Sequence, residues 1–425
     1  MNQDASDKGL SHKKIMKSIL VVDDDPAVLT IATKWLQSQG VRTLTADNGA
    51  DGLRMAKEHR PDVVVLDLMM PKMHGYTLIQ EIRNDPNLSH VRILVTSAKT
   101  YASDIERTRR LGADRYLSKP YDLQAFWDTI AELLGETRPP FIIRFWGTRG
   151  SIATPGEATN KYGGNTACTE VRCGEQLLIV DAGTGIRALG LSLLREFQQR
   201  PIHGHIFVGH THWDHIQGFP FFAPAFNPEN EFTIYSLHGA EKPLHKVFRG
   251  QMDSDYFPIL LSEMKAKLNF CELESEVQLG ETRISFIFLN HPGLAVGFRI
   301  WFAGRSVVYL SDHETYGRLS PQGPSPNPLD IEIERFAEKA DLLISEAQYT
   351  EEEYAQKKGW GHSTFLDVLA RAAQSKVMRL AIFHHDPSHD DAFLDRIQEF
   401  CQKTIADRNY EFSCFLAQEG TSIEL

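Results

Sequence analysis

From Ser18 to Leu134 the chain alternates short aliphatic runs with amphipathic stretches, and that rhythm constrains its fold more than any other feature. The runs SILVVDDD, DVVVLDL, RILVTSA and DRYLSKP are separated by helix-like segments such as PAVLTIATKWLQSQG. This is the pattern of parallel strands joined by crossover helices, which predicts a doubly wound α/β sheet. YDLQAFWDTIAELLG reads as the closing helix, with Gly135 as its stop.

The stretch ETRPP, residues 136–140, ends the rhythm, because consecutive prolines exclude helix and hold the chain extended. From Phe141 onward Gly-rich turns and β-like runs take over (FIIRFWGTRGS, QLLIVDAGTG, RISFIFLNHPG), with helical stretches near IEIERFAEKA and STFLDVLARAAQS. A chain of 425 residues is too long for one ordinary core. The expected organisation is a disordered polar tail at 1–17, a first domain at 18–135, a linker at 136–140 and a sheet-rich second domain at 141–425. SPQGPSPNPLD reads as a surface loop.

Composition narrows the function classes. No apolar run approaches the roughly 18 residues of a membrane span. A net charge of −11 gives no general attraction for polyanions, so a nucleotide substrate would need local basic groups or metal. Five scattered cysteines argue against a disulfide framework and for a cytoplasmic location. Cys168 and Cys173 could face each other across a hairpin, although buried free thiols are the simpler reading.

Polar residues close the four aliphatic runs of the first domain. Asp23, Asp24 and Asp25 follow the first, Asp67 the second, Ser97 the third, and Lys119 the fourth. Strand C-termini in an open parallel sheet converge on one crevice. Crowded carboxylates there suit Mg²⁺, and Asp67 could attack a phosphoryl donor, steadied by Lys119 and Ser97. ILVVDDDP, VVVLDLMMPKMHG, TSA and YLSKP together resemble the receiver domain of two-component response regulators, a (βα)5 fold. The resemblance implies Asp67 as phosphoacceptor, and Mg²⁺ held by Asp23, Asp24, Asp67 and the Met69 carbonyl. It also implies Lys119 against the phosphoryl group and Ser97 with Tyr116 as the switch pair; Thr96 is a rival to Ser97.

The second domain concentrates metal-capable groups in HTHWDH, residues 210–215. Alternate residues of an extended segment point the same way, so His210 and His212 can share one metal. A turn after them can send Asp214 and His215 toward a second. Later strand ends add His291 in LNHPG, Asp312 in YLSDHE, and His384 or His385 in AIFHHDP. Two close metals need a bridging carboxylate, for which Asp312 is the candidate. His203, His238 and His245 read as structural or surface histidines.

This spacing resembles the H-x-H-x-D-H signature of the metallo-β-lactamase fold superfamily. WGTRGSIATPG, YGGNTAC, LIVDAGTG, GHS and FHHDP extend the likeness in family order from Phe141 to Leu425. It implies an αββα sandwich in which His210, His212 and His291 bind one ion, and Asp214, His215 and His384 the other, with Asp312 between. His384 is preferred because it directly follows the strand RLAIF. The ions implied are zinc, with manganese or iron as alternatives, and Asp214 serves as both ligand and catalytic group. Asp181 in VDAG would orient a ligand histidine.

WGTRGS, GGNTAC and GHS resemble more narrowly the phosphodiesterase branch that includes RNase Z and cyclic phosphodiesterases. That makes His362 the general-acid candidate; its local reading is a histidine beside Ser363 as helix N-cap. The long substrate-gripping arm of tRNA-processing enzymes is not evident.

The function expected is a response regulator whose output is a two-metal hydrolase, a phosphodiesterase, controlled by phosphorylation of Asp67. Hydrolysis of a thioester, lactone or β-lactam is one alternative, and a non-hydrolytic di-iron redox or gas sensor the other. His212 weighs against the sensor, since it stands where flavo-di-iron relatives carry a glutamate. Expected partners are a sensor histidine kinase, a small phosphodiester or nucleotide-like substrate and, as an option, a second copy of the chain, with no membrane and no DNA-binding domain.

Overall fold

A computed structural model describes residues 17–99, 101–135, 139–237, 242–320 and 327–425. Most of the 1–17 tail, residues 136–138 of the 136–140 linker, His238 and most of SPQGPSPNPLD lie outside the described residues. The chain divides into two compact units, 1–138 and 139–425.

The first unit is a five-stranded parallel sheet of β1 (Ser18–Val22), β2 (Arg42–Ala46), β3 (Val63–Asp67), β4 (Arg92–Ser97) and β5 (Arg115–Ser118), in the order β2-β1-β3-β4-β5. Its three central strands, β1, β3 and β4, are apolar on both faces because both are covered. Leu20, Val22, Leu66 and Val95 pack with Ile79 on one side, while Ile19, Val21, Val65 and Leu94 pack with Leu36 and Phe126 on the other. Strand order reverses between β1 and β3, which opens the crevice at their C-terminal ends. The first helix, Pro26–Ser38, starts there because the Asp25 side chain accepts from the Ala27 N–H and Pro26 presets the first turn. The last, Leu123–Leu133, stops before Gly135, which adopts a left-handed φ of 72°.

The second unit contains β6 (Phe141–Gly147), β7 (Cys168–Cys173), β8 (Gln176–Val180), β9 (His203–Phe207), β10 (Glu231–Ser236), β11 (Lys267–Glu272), β12 (Val277–Leu279), β13 (Thr282–Leu289), β14 (Ala295–Phe302), β15 (Arg305–Leu310), β16 (Leu342–Glu346), β17 (Arg379–Phe383), β18 (Ser413–Leu416) and β19 (Ser422–Glu424). They form two seven-stranded sheets, β11-β10-β9-β8-β7-β6-β19 and β12-β13-β14-β15-β16-β17-β18. The inner faces make one core, with Phe141, Phe145, Val180 and Phe207 from the first sheet against Phe298, Tyr309, Ile344 and Phe383 from the second. Helices cover both outer faces. Leu189 and Leu193 of Gly185–Phe197 pack on Ile179 and Ile206, and Leu369 and Leu394 of Phe365–Gln374 and Asp391–Asp407 on Leu380 and Ile382. The layers run αββα.

Two local expectations are corrected. Cys168 and Cys173 stand at the two ends of the same strand, β7, so they do not face each other across a hairpin; both are buried free thiols. The N-cap of Phe365–Gln374 is Thr364, whose side chain accepts from the Asp367 N–H, and not Ser363. The Ser363 hydroxyl instead donates to the His313 carbonyl at 2.6 Å.

Candidate metal centre and phosphoacceptor site

HTHWDH lies just beyond the C-terminal end of β9, and the short helix Trp213–Ile216 turns the chain directly after His212. His291 follows β13, Asp312 follows β15 and His384 follows β17, so four strand ends deliver their side chains to one place. Ligand atoms of His210, His212, His291 and Asp312 lie within 4.8 Å of one another, as do those of Asp214, His215, Asp312 and His384.

Asp312 belongs to both groups and divides its oxygens between them. Its Oδ2 is 3.5 Å from His210 Nε2 and 3.6 Å from His291 Nε2. Its Oδ1 is 3.4 Å from His215 Nε2 and 3.2 Å from His384 Nε2. Asp214 Oδ2 completes the second group, 3.3 Å from His215 Nε2 and 3.1 Å from His384 Nε2.

The donors fit a pair of divalent cations. His212 Nδ1 faces His291 Nε2 at 3.1 Å, and His215 Nε2 faces His384 Nε2 at 3.2 Å, nitrogen to nitrogen. His210 Nε2 and Asp312 Oδ1 are buried without a hydrogen-bond partner, an arrangement that costs roughly 1–3 kcal/mol per orphaned group unless something else satisfies it. Burial pushes His210 and His291 down, the latter to about 4, leaving neutral imidazoles with a lone pair to give. Burial opposes charge on Asp312 and Asp214, but the surrounding imidazoles hold both carboxyls far below their ordinary range. Imidazole and carboxylate in this proportion suit zinc-like ions.

A surrounding shell fixes each ring. His215 Nδ1 meets Asp181 Oδ2 at 2.8 Å, and Asp181 also accepts from the Gly209 N–H at 2.9 Å and the Tyr309 hydroxyl at 2.7 Å. His291 Nδ1 is 3.0 Å from the Gly361 carbonyl, and His384 Nδ1 is 2.9 Å from the Gln348 amide. The Ser151 N–H, from WGTRGS, donates to Asp214 Oδ2 at 2.8 Å. A Cβ on Gly361, whose φ is 93°, would overlap the His291 ring, so the residue before His362 has to be glycine.

His362 is buried, with its ring centroid 5.3 Å from that of His291 and 5.5 Å from that of His384. Its Nδ1 lies 3.5 Å from Oε2 of the buried Glu346, whose Oε1 accepts from the Ser363 N–H at 2.8 Å. Burial opposes the His362 proton, but the Glu346 carboxylate beside it and the nearby Asp312 and Asp214 raise its pKa overall. His385 joins neither group: its Nε2 is 2.9 Å from the Ala417 carbonyl. His203 and His245 are exposed.

Sequence reasoning missed Glu346, Gln348, Tyr309, Ser151 and Glu314. Glu346 carried a usable signal, since it ends the apolar run LLISE much as Asp67 ends VVVLD. Glu314 pins the loop before His362 by accepting from the Tyr354 hydroxyl and the N–H groups of Gly359 and Gly361. Nothing in its local sequence marks that task.

In the first unit the register sets Asp67 beside Thr96 and Ser97 beside Ser118. Lys119 Nζ donates to Asp23 Oδ2 at 2.7 Å and lies 3.6 Å from Asp67 Oδ1. The Met69 N–H donates to Asp67 Oδ2 at 2.9 Å, and Asp24 is exposed. Burial raises the Asp67 carboxyl, Lys119 opposes that, and Asp23 adds to it. Ser97 Oγ accepts from the Lys99 N–H at 3.3 Å while the Tyr116 hydroxyl donates to the Lys99 carbonyl at 2.6 Å, so both converge on residue 99. Thr96 engages Tyr121 instead.

Over 119 residues the chain is 34% identical to Protein PilH of Pseudomonas aeruginosa, spanning 28% of this chain and 98% of that protein. The response regulator receiver domain family matches residues 19–131. The chain belongs to the response-regulator receiver family. Behind the receiver, residues 177–385 match the beta-lactamase superfamily domain, and the αββα layers and the metal-capable cluster belong to that second part. Among solved structures, the metallo-beta-lactamase fold protein YhfI from Bacillus subtilis covers 68% of this chain and 100% of its own at 19% identity and a TM-score of 0.47. The short form of human tRNase Z covers 66% of this chain and 98% of its own, at 19% identity and a TM-score of 0.46. No helix among the described residues is long and apolar enough to cross a membrane.

Proposed function

We propose that the second unit is a hydrolase built on two divalent ions, that its substrate is a small phosphodiester, and that phosphorylation of Asp67 controls it. The observation that carries the reading is the division of Asp312, one oxygen toward each trio of donors. His210, His212 and His291 would hold one ion, and Asp214, His215 and His384 the other. Two ions so held supply Lewis acidity, acidify water and offset charge on a reacting phosphoryl group.

The protein's own groups do the rest. Asp181 accepts a hydrogen bond from the Nδ1–H of His215 and so presents its Nε2 to the cluster. The Gly361 carbonyl does the same for His291. His362, beside both trios with Glu346 behind it, would hand a proton to a departing alkoxide, a need that a phosphodiester has and a thioester lacks.

In the receiver, Asp23, Asp24, Asp67 and the Met69 carbonyl would hold Mg²⁺, which relieves the repulsion between the first and third carboxylates. A phosphoryl group on Asp67 adds about −1.5 to −2 charge beside Lys119. Drawing Ser97 toward it would release the Lys99 N–H and shift the backbone to which Tyr116 is tied. A sensor histidine kinase would be the donor.

The test is a substrate panel on the full chain, with bis(p-nitrophenyl) phosphate, cyclic nucleotides and dinucleotides set against a thioester, a lactone and a β-lactam. Each is run with and without acetyl phosphate, using Asp67→Asn as control. Turnover confined to the phosphodiesters, and changed by acetyl phosphate only when Asp67 is present, is expected. Cleavage of acyl substrates alone refutes the substrate class, and equal rates throughout refute the control.

A further inference from the structure

Of the six tryptophans, two are exposed, Trp213 at 77% and Trp360 at 62%, and both border the metal-capable cluster. Trp213 stands between His212 and Asp214. Trp360 adjoins Gly361, whose carbonyl is 3.0 Å from His291 Nδ1. Two further exposed apolar side chains stand one residue from the cluster on other loops. Leu294 follows Gly293, which approaches the His212 ring, and Ile152 follows Ser151, whose N–H holds Asp214. Four separate loops therefore each present a large apolar side chain to solvent beside the polar centre. Water penalises such exposure, and clustering of this kind around a site marks a surface that something covers.

We propose that Trp213 and Trp360 are stacking platforms for nucleobases, and that the substrate class of this site is a short nucleoside phosphodiester such as a dinucleotide or cyclic nucleotide. The inference rests on the hydrolase reading above and deepens it. Three observations select this occupant. Both exposed tryptophans are at this one site, and an indole face stacks on any base without reading its sequence. The cluster between them has the donors for ions that take a phosphate. The chain's net charge of −11 gives no general attraction for a long polyanion, whereas one linkage at the cluster needs none.

The four buried or half-buried tryptophans give a spectroscopic handle, because a collisional quencher such as acrylamide reaches chiefly Trp213 and Trp360. The full chain is titrated with a dinucleoside phosphorothioate, with dimethyl phosphate, and with a long-chain acyl thioester, following indole emission and its acrylamide quenching. The dinucleotide is expected to bind tightest and to shield the emission. Trp213→Ala and Trp360→Ala should each weaken its binding roughly 5- to 100-fold, with Trp→Phe at either position recovering most of the loss. Met378→Ala, which removes an exposed apolar side chain elsewhere, serves as control.

Alanine variants that bind the dinucleotide like the parent chain overturn the proposal. So does an acyl thioester that depends on the indoles while the dinucleotide does not. Phosphodiester cleavage with no dependence of binding on either indole defeats the stacking site and leaves the hydrolase standing. Indole-dependent binding of a dinucleotide that is never cleaved does the reverse.

Discussion

The two polar centres differ in how their charge is balanced. In the receiver, the protein supplies its own counter-charge: Lys119 sits between Asp23 and Asp67, and each carboxylate also accepts a backbone N–H. In the second unit, imidazole nitrogens point at one another and a buried oxygen and nitrogen lack partners. The first arrangement leaves Asp23, Asp67 and Lys119 with partners inside the protein. The second is unfinished without cations, since a buried nitrogen and a buried oxygen stay unpaired in a dry site unless something positive lies between them. A cluster that looks polar in sequence can thus be largely paired within the protein or left with orphaned atoms, and only the pairings distinguish the two.

That contrast can be broken most forcibly at β17. His384→Ala should abolish hydrolysis well beyond the roughly 10- to 100-fold that a ligand-orienting group carries. His385→Ala, which loses a contact to the Ala417 carbonyl, should leave the metal content intact; kinetics and elemental analysis on both variants check this. Next in size is His362→Asn, expected to lower turnover by about 10²- to 10⁴-fold with both ions retained. Glu346→Gln, which removes a carboxylate that raises the His362 pKa, should move the alkaline limb of the pH–rate profile, where His362 loses the proton it donates, to lower pH. Smaller again is Asp181→Asn, which keeps a residue that tolerates the local φ of 62° but accepts poorly from His215. A loss of roughly 10- to 100-fold in metal affinity or rate is the outcome to measure.

The smallest effect lies in the receiver and sharpens the comparison from the other side. Burial raises the Asp67 carboxyl, so the folded chain holds that proton more tightly than the unfolded one. The corresponding stability is complete below the ordinary carboxylate range and fades as pH rises through the raised value. Asp67→Asn should therefore raise the receiver's melting temperature at pH 7 and not at pH 3, by no more than about 1 kcal/mol or roughly 4 °C. Calorimetry in metal-free buffer reads it; a lowered melting temperature at pH 7 would show that Lys119 outweighs burial.

How much was legible in the sequence follows from the range of each interaction. The receiver strands were readable because burial on both faces leaves an uninterrupted aliphatic run, as in VVVL before Asp67. HTHWDH was readable because its donors are adjacent in the chain. Glu346 and Gln348 were not, because their partners His362 and His384 come from other elements. The same holds for Tyr309, which reaches Asp181 from the opposite sheet. Cys168 and Cys173 misled for a related reason: five positions along a sequence can be a hairpin or one strand, and only sheet pairing decides. Thr364 and not Ser363 is the N-cap because the helix begins at Phe365, which puts the Thr364 side chain within reach of the Asp367 N–H.

The central claim is that Asp312 joins two ions, and metal counting tests it most directly. Full-length protein, purified without chelator and analysed for bound metal per chain, should carry two divalent ions beyond any Mg²⁺, and Asp312→Ala should carry one or none. Two ions retained in Asp312→Ala, or a parent chain that binds none under metal-replete conditions, would contradict it.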